Sequence, residues 1–236
     1  MQFTMDPFQM LASQQKVYVK EKIKILEFIG IDQANKYAVK DVNGNEMFIA
    51  KETTGFCARC CLPTTCRPFN LEMFIKVPGQ SPQPFIKADK ECQMTCCCLN
   101  RPKMQVMNNH TGQQIGILKD DFDCCNHIFS INDNQENPTL RIKGNCMQCG
   151  ICCKCPCGPC KYVKFDITDM KSQQAVGQIV KENTCLGTIA DDMNDKYWVD
   201  FGAVSEPQWK AMLVTAAIFI DFRMFQGGKK DENSTG

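Results

Sequence analysis

Histidine is almost missing from this 236-residue chain, which carries only His110 and His127. Little is left for imidazole acid–base chemistry, and no P-loop, dinucleotide glycine fingerprint or nucleophile elbow offers another enzymatic signature. His110 falls at a predicted hairpin turn and His127 at a strand start, positions that suit surface or core roles better than catalysis. Charge imbalance is missing too: 27 Lys and Arg stand against 26 Asp and Glu, so no global field draws the chain to nucleic acid. Residues 1–7 lack the basic and apolar regions of a secretory signal, which predicts a reducing compartment. A membrane-length apolar run is also lacking. The uncharged stretch 211–220 is ten residues, about 15 Å of helix against a hydrocarbon core of about 30 Å.

Most of the chain instead alternates in the period of antiparallel strands, with turn residues between. Residues 22–28 alternate and stop at Gly30. Residues 36–42 and 45–50 flank Asn43-Gly44, which predicts a hairpin with a type I′ turn. Residues 104–107 with 115–119, 127–132 with 139–143, and 163–169 with 176–181 are further strand pairs. Gly116 and Gly177 each interrupt a second strand after a Gln-Gln pair, marking a bulge or bend. Regular hairpins imply a mainly β fold, a closed barrel or sandwich. One segment breaks the rhythm. Residues 208–225, introduced by Ser205-Glu206-Pro207, are apolar on nearly all faces, which predicts a helix buried in the core among the strands. If that helix spanned a bilayer, only Thr215, Asp221 and Arg223 would offer a headgroup a polar path. Residues 1–14 and 227–236 read as loose tails around one domain, 15–226.

Against these scarcities stands cysteine, 18 of 236 residues. Cys57-x2-Cys60 and Cys146-x2-Cys149-x2-Cys152-x2-Cys155 have spacings that allow zinc ligation, separately or jointly. The second run is one residue short of an iron–sulfur spacing before Cys155-Pro156. Loop thiols ordered without metal fit equally well. Cys92 and the adjacent Cys96, Cys97 and Cys98 cannot all face one ion. Beside Lys90, Arg101 and Lys103 they suit S-acylation next to anionic lipid, several chains anchoring more firmly than one.

Five stretches together carry a family resemblance. They are Asn35-Lys36-Tyr37 with its Asn-Gly hairpin, Cys66-Arg67-Pro68-Phe69-Asn70-Leu71, the Cys96-Cys97-Cys98 loop, Leu140-Arg141-Ile142-Lys143-Gly144-Asn145-Cys146, and residues 210–225 with Phe219-Ile220-Asp221-Phe222. In this order and spacing they resemble the phospholipid scramblases over roughly residues 15–226. The resemblance implies a tubby-like closed antiparallel barrel of about twelve strands around the C-terminal helix. It implies calcium-triggered movement of phospholipids between leaflets without covalent chemistry, palmitate on Cys96, Cys97, Cys98 and Cys92, and a place on the cytoplasmic face of the plasma membrane. Lipid transfer by so small a barrel would call for homo-oligomers or local membrane thinning. The family's calcium segment falls on residues 193–204, where acids are expected at the first, third and twelfth positions. Only Asp195 conforms; Asp191, Asp192 and Asp200 are the neighbouring acids that could complete an oxygen shell. The Pro-rich arm that recruits signalling domains is not present ahead of the domain, and the family's basic import stretch falls on residues 177–184, with one lysine beside a glutamate. Two other functions stay open: a non-catalytic acylated membrane adaptor or lipid-binding regulator, and a zinc-binding Cys-rich protein.

Overall fold

The computed structural model describes residues 6–22, 34–63, 66–75, 83–93, 99–153, 155–183 and 196–226. Twelve strands follow one another around a ring: β1 (Lys16–Glu21), β2 (Lys36–Lys40), β3 (Glu46–Glu52), β4 (Phe69–Ile75), β5 (Gln83–Lys90), β6 (Lys103–Asn108), β7 (Gln114–Asp121), β8 (Asn126–Asn132), β9 (Pro138–Asn145), β10 (Tyr162–Asp169), β11 (Ala175–Glu182) and β12 (Lys196–Asp200). Each pairs antiparallel with its sequence neighbours. β12 closes on β1 through registers such as Val17↔Val199, so the barrel has no edge. The tubby-like expectation of a closed twelve-strand barrel with a C-terminal helix is met.

Alternation explains the inner face. In β4, Phe69, Leu71, Met73 and Ile75 are buried while the residues between them are half-exposed; β10 does the same with Val163, Phe165 and Ile167. These inner side chains enclose α4 (Pro207–Ile220), buried on every side from Lys210 to Ile220. A helix with no polar face cannot be satisfied by packing on one surface, and a surrounding ring is the protein-only solution. Burying a side chain such as Leu213 or Phe219 contributes about 1.5–3 kcal/mol each. Phe129 meets Phe219 edge-on with centroids 6.0 Å apart. Beyond Ile220 the chain continues as a wider π-helical turn, Asp221–Phe225.

Two local expectations change. Residues 7–12 are not a loose tail: α1 (Pro7–Ala12) is capped by Asp6, whose carboxylate accepts the Phe8 N–H at 3.0 Å. Its Leu11 is fully buried, Phe8 meets Phe85 edge-on at 5.8 Å, and Lys210 Nζ donates to the carbonyls of Ala12 (2.9 Å) and Gln14 (2.6 Å). Six residues are too few to show a helical period, so packing and not pattern makes this helix. The β2–β3 turn is not type I′, because only Gly44 has positive φ (86°). Asp41 instead accepts the N–H groups of Asn43 (2.9 Å) and Asn45 (2.8 Å), an Asx-type cap that settles a longer turn. β1 precedes the strand expected at 22–28, which from residue 23 on lies outside the described residues, as do the rest of 23–33, residues 1–5 and the tail 227–236. Both expected bulges are present. Register shifts fall opposite Gly116 and Gly177, beside Ile115 and Val176.

Candidate functional site

An up-and-down ring sorts its connections between two ends. Links that follow even strands, and the link from β12 to α4, gather at one end; links that follow odd strands gather at the other. The first end is built from polar turns. Asp41, Asn108, Asp133 and Asp169 each fold a carboxylate or amide oxygen back onto backbone N–H groups, and for the three aspartates this bonding holds the acid below its usual range. No cysteine falls in these links.

The other end is different. All fourteen described cysteines lie there, in the links β3–β4 (Cys57, Cys60, Cys61, Cys66), β5–β6 (Cys92), β7–β8 (Cys124, Cys125) and β9–β10 (Cys146, Cys149, Cys152, Cys153, Cys155, Cys157, Cys160), and all are free thiols. Cys96, Cys97, Cys98 and Cys185 fall in sequence between β5 and β6 and between β11 and β12, outside the described residues. The two short helices at this end, α2 (Phe56–Cys61) and α3 (Cys149–Cys152), are themselves cysteine carriers.

Exposed apolar side chains gather at the same end. Among described residues the large exposed hydrophobics are Tyr18, Val42, Phe56, Leu62, Leu99, Phe122 and Met147. Five of these seven, Phe56, Leu62, Leu99, Phe122 and Met147, sit in the four consecutive thiol-bearing links. Sequence patterning does not single them out, because a lone apolar residue in a loop is ordinary; only the ring shows that they share a rim.

Beneath that rim the barrel is sealed by a buried polar layer. Asp221 accepts hydrogen bonds from the hydroxyls of Tyr37 (2.8 Å) and Tyr197 (2.7 Å) and from Gln226 Nε2 (2.9 Å). Gln226 Oε1 accepts from Asn35 Nδ2 at 2.8 Å, and Asn35 Nδ2 also donates to Glu52 Oε2 at 2.6 Å. Glu52 pairs with Arg67 at 3.3 Å, and Arg67 lies over the Phe222 ring, itself stacked on Phe69 at 4.2 Å. Arg223 grips Asp120 through Nε (3.0 Å) and Nη2 (2.9 Å), and Arg101 takes the other oxygen of the same carboxylate. Burial and the nearby Asp221 carboxylate push the Tyr37 hydroxyl well above its ordinary value. Thr215 donates to Ala211 O at 3.0 Å. The three polar side chains that a spanning helix would offer to headgroups, Thr215, Asp221 and Arg223, are therefore all committed inside the fold.

Two of the three basic residues expected to attract anionic lipid are also committed. Lys90 is fully buried, its Nζ donating to the carbonyls of Arg67 (2.7 Å) and Glu91 (3.1 Å). Burial, with repulsion from Arg223, lowers its ammonium to about 8. Arg101 is held by Asp120, so only Lys103 of the three is exposed. The expected ligand sets divide in a similar way. The links carrying Cys57 with Cys60, and Cys146, Cys149, Cys152 and Cys155, lie on opposite sides of the ring, six strands apart. No group of three or more His, Cys, Asp or Glu among the described residues is arranged to hold a metal ion. Two thiols that spacing did not pair, Cys155 Sγ and Cys157 Sγ, are 3.0 Å apart, and this hydrogen bond lowers the Cys155 thiol below its ordinary value. Of the calcium acids, Asp191, Asp192 and Asp195 lie outside the described residues. Asp200 sits at the far end of β12, at the polar-turn end, where it accepts the Gly202 N–H at 3.0 Å. Asp200 lies roughly 13 Å along β12 from that strand's first residue, Lys196.

A scramblase family model matches residues 3–227, nearly the whole chain. The chain belongs to the scramblase family. It is 27% identical to human phospholipid scramblase 1 over 94% of this chain and 66% of the relative, and 26% identical to bovine phospholipid scramblase 2 over 89% and 68%. To human phospholipid scramblase 4 it is 23% identical, over 89% and 61%. The chain thus spans about two thirds of the length of these scramblases. No solved structure matches it. Among the described residues no helix is long and apolar enough to cross a membrane.

Proposed function

We propose that this scramblase moves phospholipids between the two leaflets of a bilayer without covalent chemistry, attached to the cytoplasmic face of the plasma membrane through acyl chains on Cys92, Cys96, Cys97 and Cys98. The family match and the names of the relatives support the lipid substrate. The observation that carries the attachment is the collection of every described thiol at one end of a closed barrel, where several acyl chains would enter the same membrane face. Calcium triggering belongs to this reading through Asp191, Asp192, Asp195 and Asp200 as a set of oxygen ligands.

A second reading, an acylated adaptor that binds lipid without moving it, is favoured by the burial of α4 and the commitment of its polar side chains. One reconstitution separates the two. Acylated protein in vesicles should exchange fluorescent headgroups between leaflets faster than protein-free vesicles, and Cys→Ser replacement at the four positions should abolish both the exchange and the membrane partition. Vesicles that retain the protein but show no exchange at any calcium concentration would leave the adaptor.

A further inference from the structure

Among the described residues no helix is long enough to span a bilayer, and of the three basic residues expected to hold anionic headgroups Lys90 and Arg101 are spent internally while Lys103 stays exposed. What the thiol-bearing end also presents is a set of exposed apolar side chains. Met147 is 82% exposed, Leu99 67%, Phe56 59%, Phe122 48% and Leu62 37%. They come from four successive links, and so occupy one continuous arc of the rim. The opposite end is its chemical inverse, with Asx-capped turns, no cysteine, and Val42 as the one large exposed hydrophobic residue among the described residues of its turns. Keeping several large apolar side chains in water at one pole of a molecule is unfavourable unless something covers them.

We infer that the barrel docks end-on to the bilayer by inserting Phe56, Leu62, Leu99, Phe122 and Met147 into the interface, and that this docking precedes acylation and does not require it. The inference rests on the lipid reading above for the class of partner; the side chains fix the face and the mode. A phospholipid interface fits for two reasons. Side chains on short loop tips reach only the 5–10 Å or so that interfacial anchors occupy. The thiols that alternate with them need their sulfur at the membrane surface, where acyl groups are transferred to cysteine. With Lys90 buried and Arg101 paired, Lys103 is the one exposed base of the three, so the apolar side chains carry the docking and a neutral phosphatidylcholine surface suffices.

The test uses the full chain made in bacteria, which attach no palmitate to it, mixed with vesicles of phosphatidylcholine alone and of phosphatidylcholine with phosphatidylserine, then floated on a density gradient. The unmodified chain should float with both. The combined Phe56→Ser, Leu99→Ser, Phe122→Ser, Met147→Ser variant should partition about tenfold or more less strongly, from the apolar area withdrawn. Because these side chains are exposed, its thermal unfolding should match the parent, and Val42→Ser at the opposite end should float like the parent. Failure of the unmodified chain to float, undiminished flotation of the fourfold variant, or flotation with anionic vesicles alone would overturn the inference. So would a dimer of this chain that the same substitutions dissolve, without vesicle capture. Absence of headgroup exchange in the reconstitution above, with flotation as predicted, would remove the lipid-moving reading and leave the docking face standing.

Discussion

Two buried residues set opposing pH responses. Lys90 loses its proton at about 8 in the folded protein and near 10.5 when unfolded. Between those values the unfolded chain binds the extra proton, so stability rises with pH, by a few kcal/mol at most. Tyr37 works the other way. Its folded value is raised, so its contribution is complete below the ordinary tyrosine value near 10 and is lost as pH climbs beyond it. Urea unfolding at pH 7 to 11 should therefore show stability climbing to about pH 10 and falling after it. Lys90→Met should flatten the climb and Tyr37→Phe the fall; identical profiles in all three proteins would contradict the burial assigned to these groups. Neither residue could be recognised from sequence. Lys90 looks like a surface base beside a cysteine loop, and only the closing of β4 and β5 over it shows that its ammonium is dry.

At the scale of elements, Gly116 and Gly177 decide whether bulged strands can sit flush with their neighbours. A Cβ on Gly177 would lie 2.4 Å from Asp200 O, and one on Gly116 would lie 2.4 Å from Asn132 O with Met212 Cε at 3.3 Å. Both obstacles are backbone, which cannot swing away. Gly177→Ala and Gly116→Ala should each cost about 1–3 kcal/mol as overpacking, read as a lower urea midpoint; unchanged midpoints would refute the close approach. Phe219→Ala, which empties the centre of α4, should cost about 3–5 kcal/mol. The hairpins around residues 104–119, 127–143 and 163–181 were legible because their alternation is clean, as was α4, because a helix without a polar side has few places to go. The type I′ expectation at Asn43-Gly44 failed for a definite reason: Asp41, two residues earlier, captures the turn's N–H groups and makes a second positive-φ residue unnecessary.

Over the whole molecule, an even number of up-and-down strands closed into a ring turns a scattered list of cysteines into a single pole. Sequence spacing left Cys57 with Cys60 and the run from Cys146 open to zinc separately or jointly; the ring places the two sets across from each other, with Cys155 and Cys157 3.0 Å apart in one of them. The described thiols, most of the exposed apolar residues and the links from odd to even strands converge on that pole, while α4 enters from the other and stays enclosed. The thiol pole was illegible in the chain alone because it depends on counting every strand, and β1, β4, β5 and β12 are not among the strand pairs that pattern marks. The account requires the protein to work on lipid from this pole with its helix retained in the barrel. Photolabelling tests that directly. Protein bound to vesicles containing phosphatidylcholine with a diazirine in the acyl chain should, after irradiation and peptide mass spectrometry, carry adducts at Phe56, Leu62, Leu99, Phe122 and Met147 and none within residues 211–220. Adducts along 211–220, or confined to the polar turns at 41–45, 133–137 and 170–174, would contradict it.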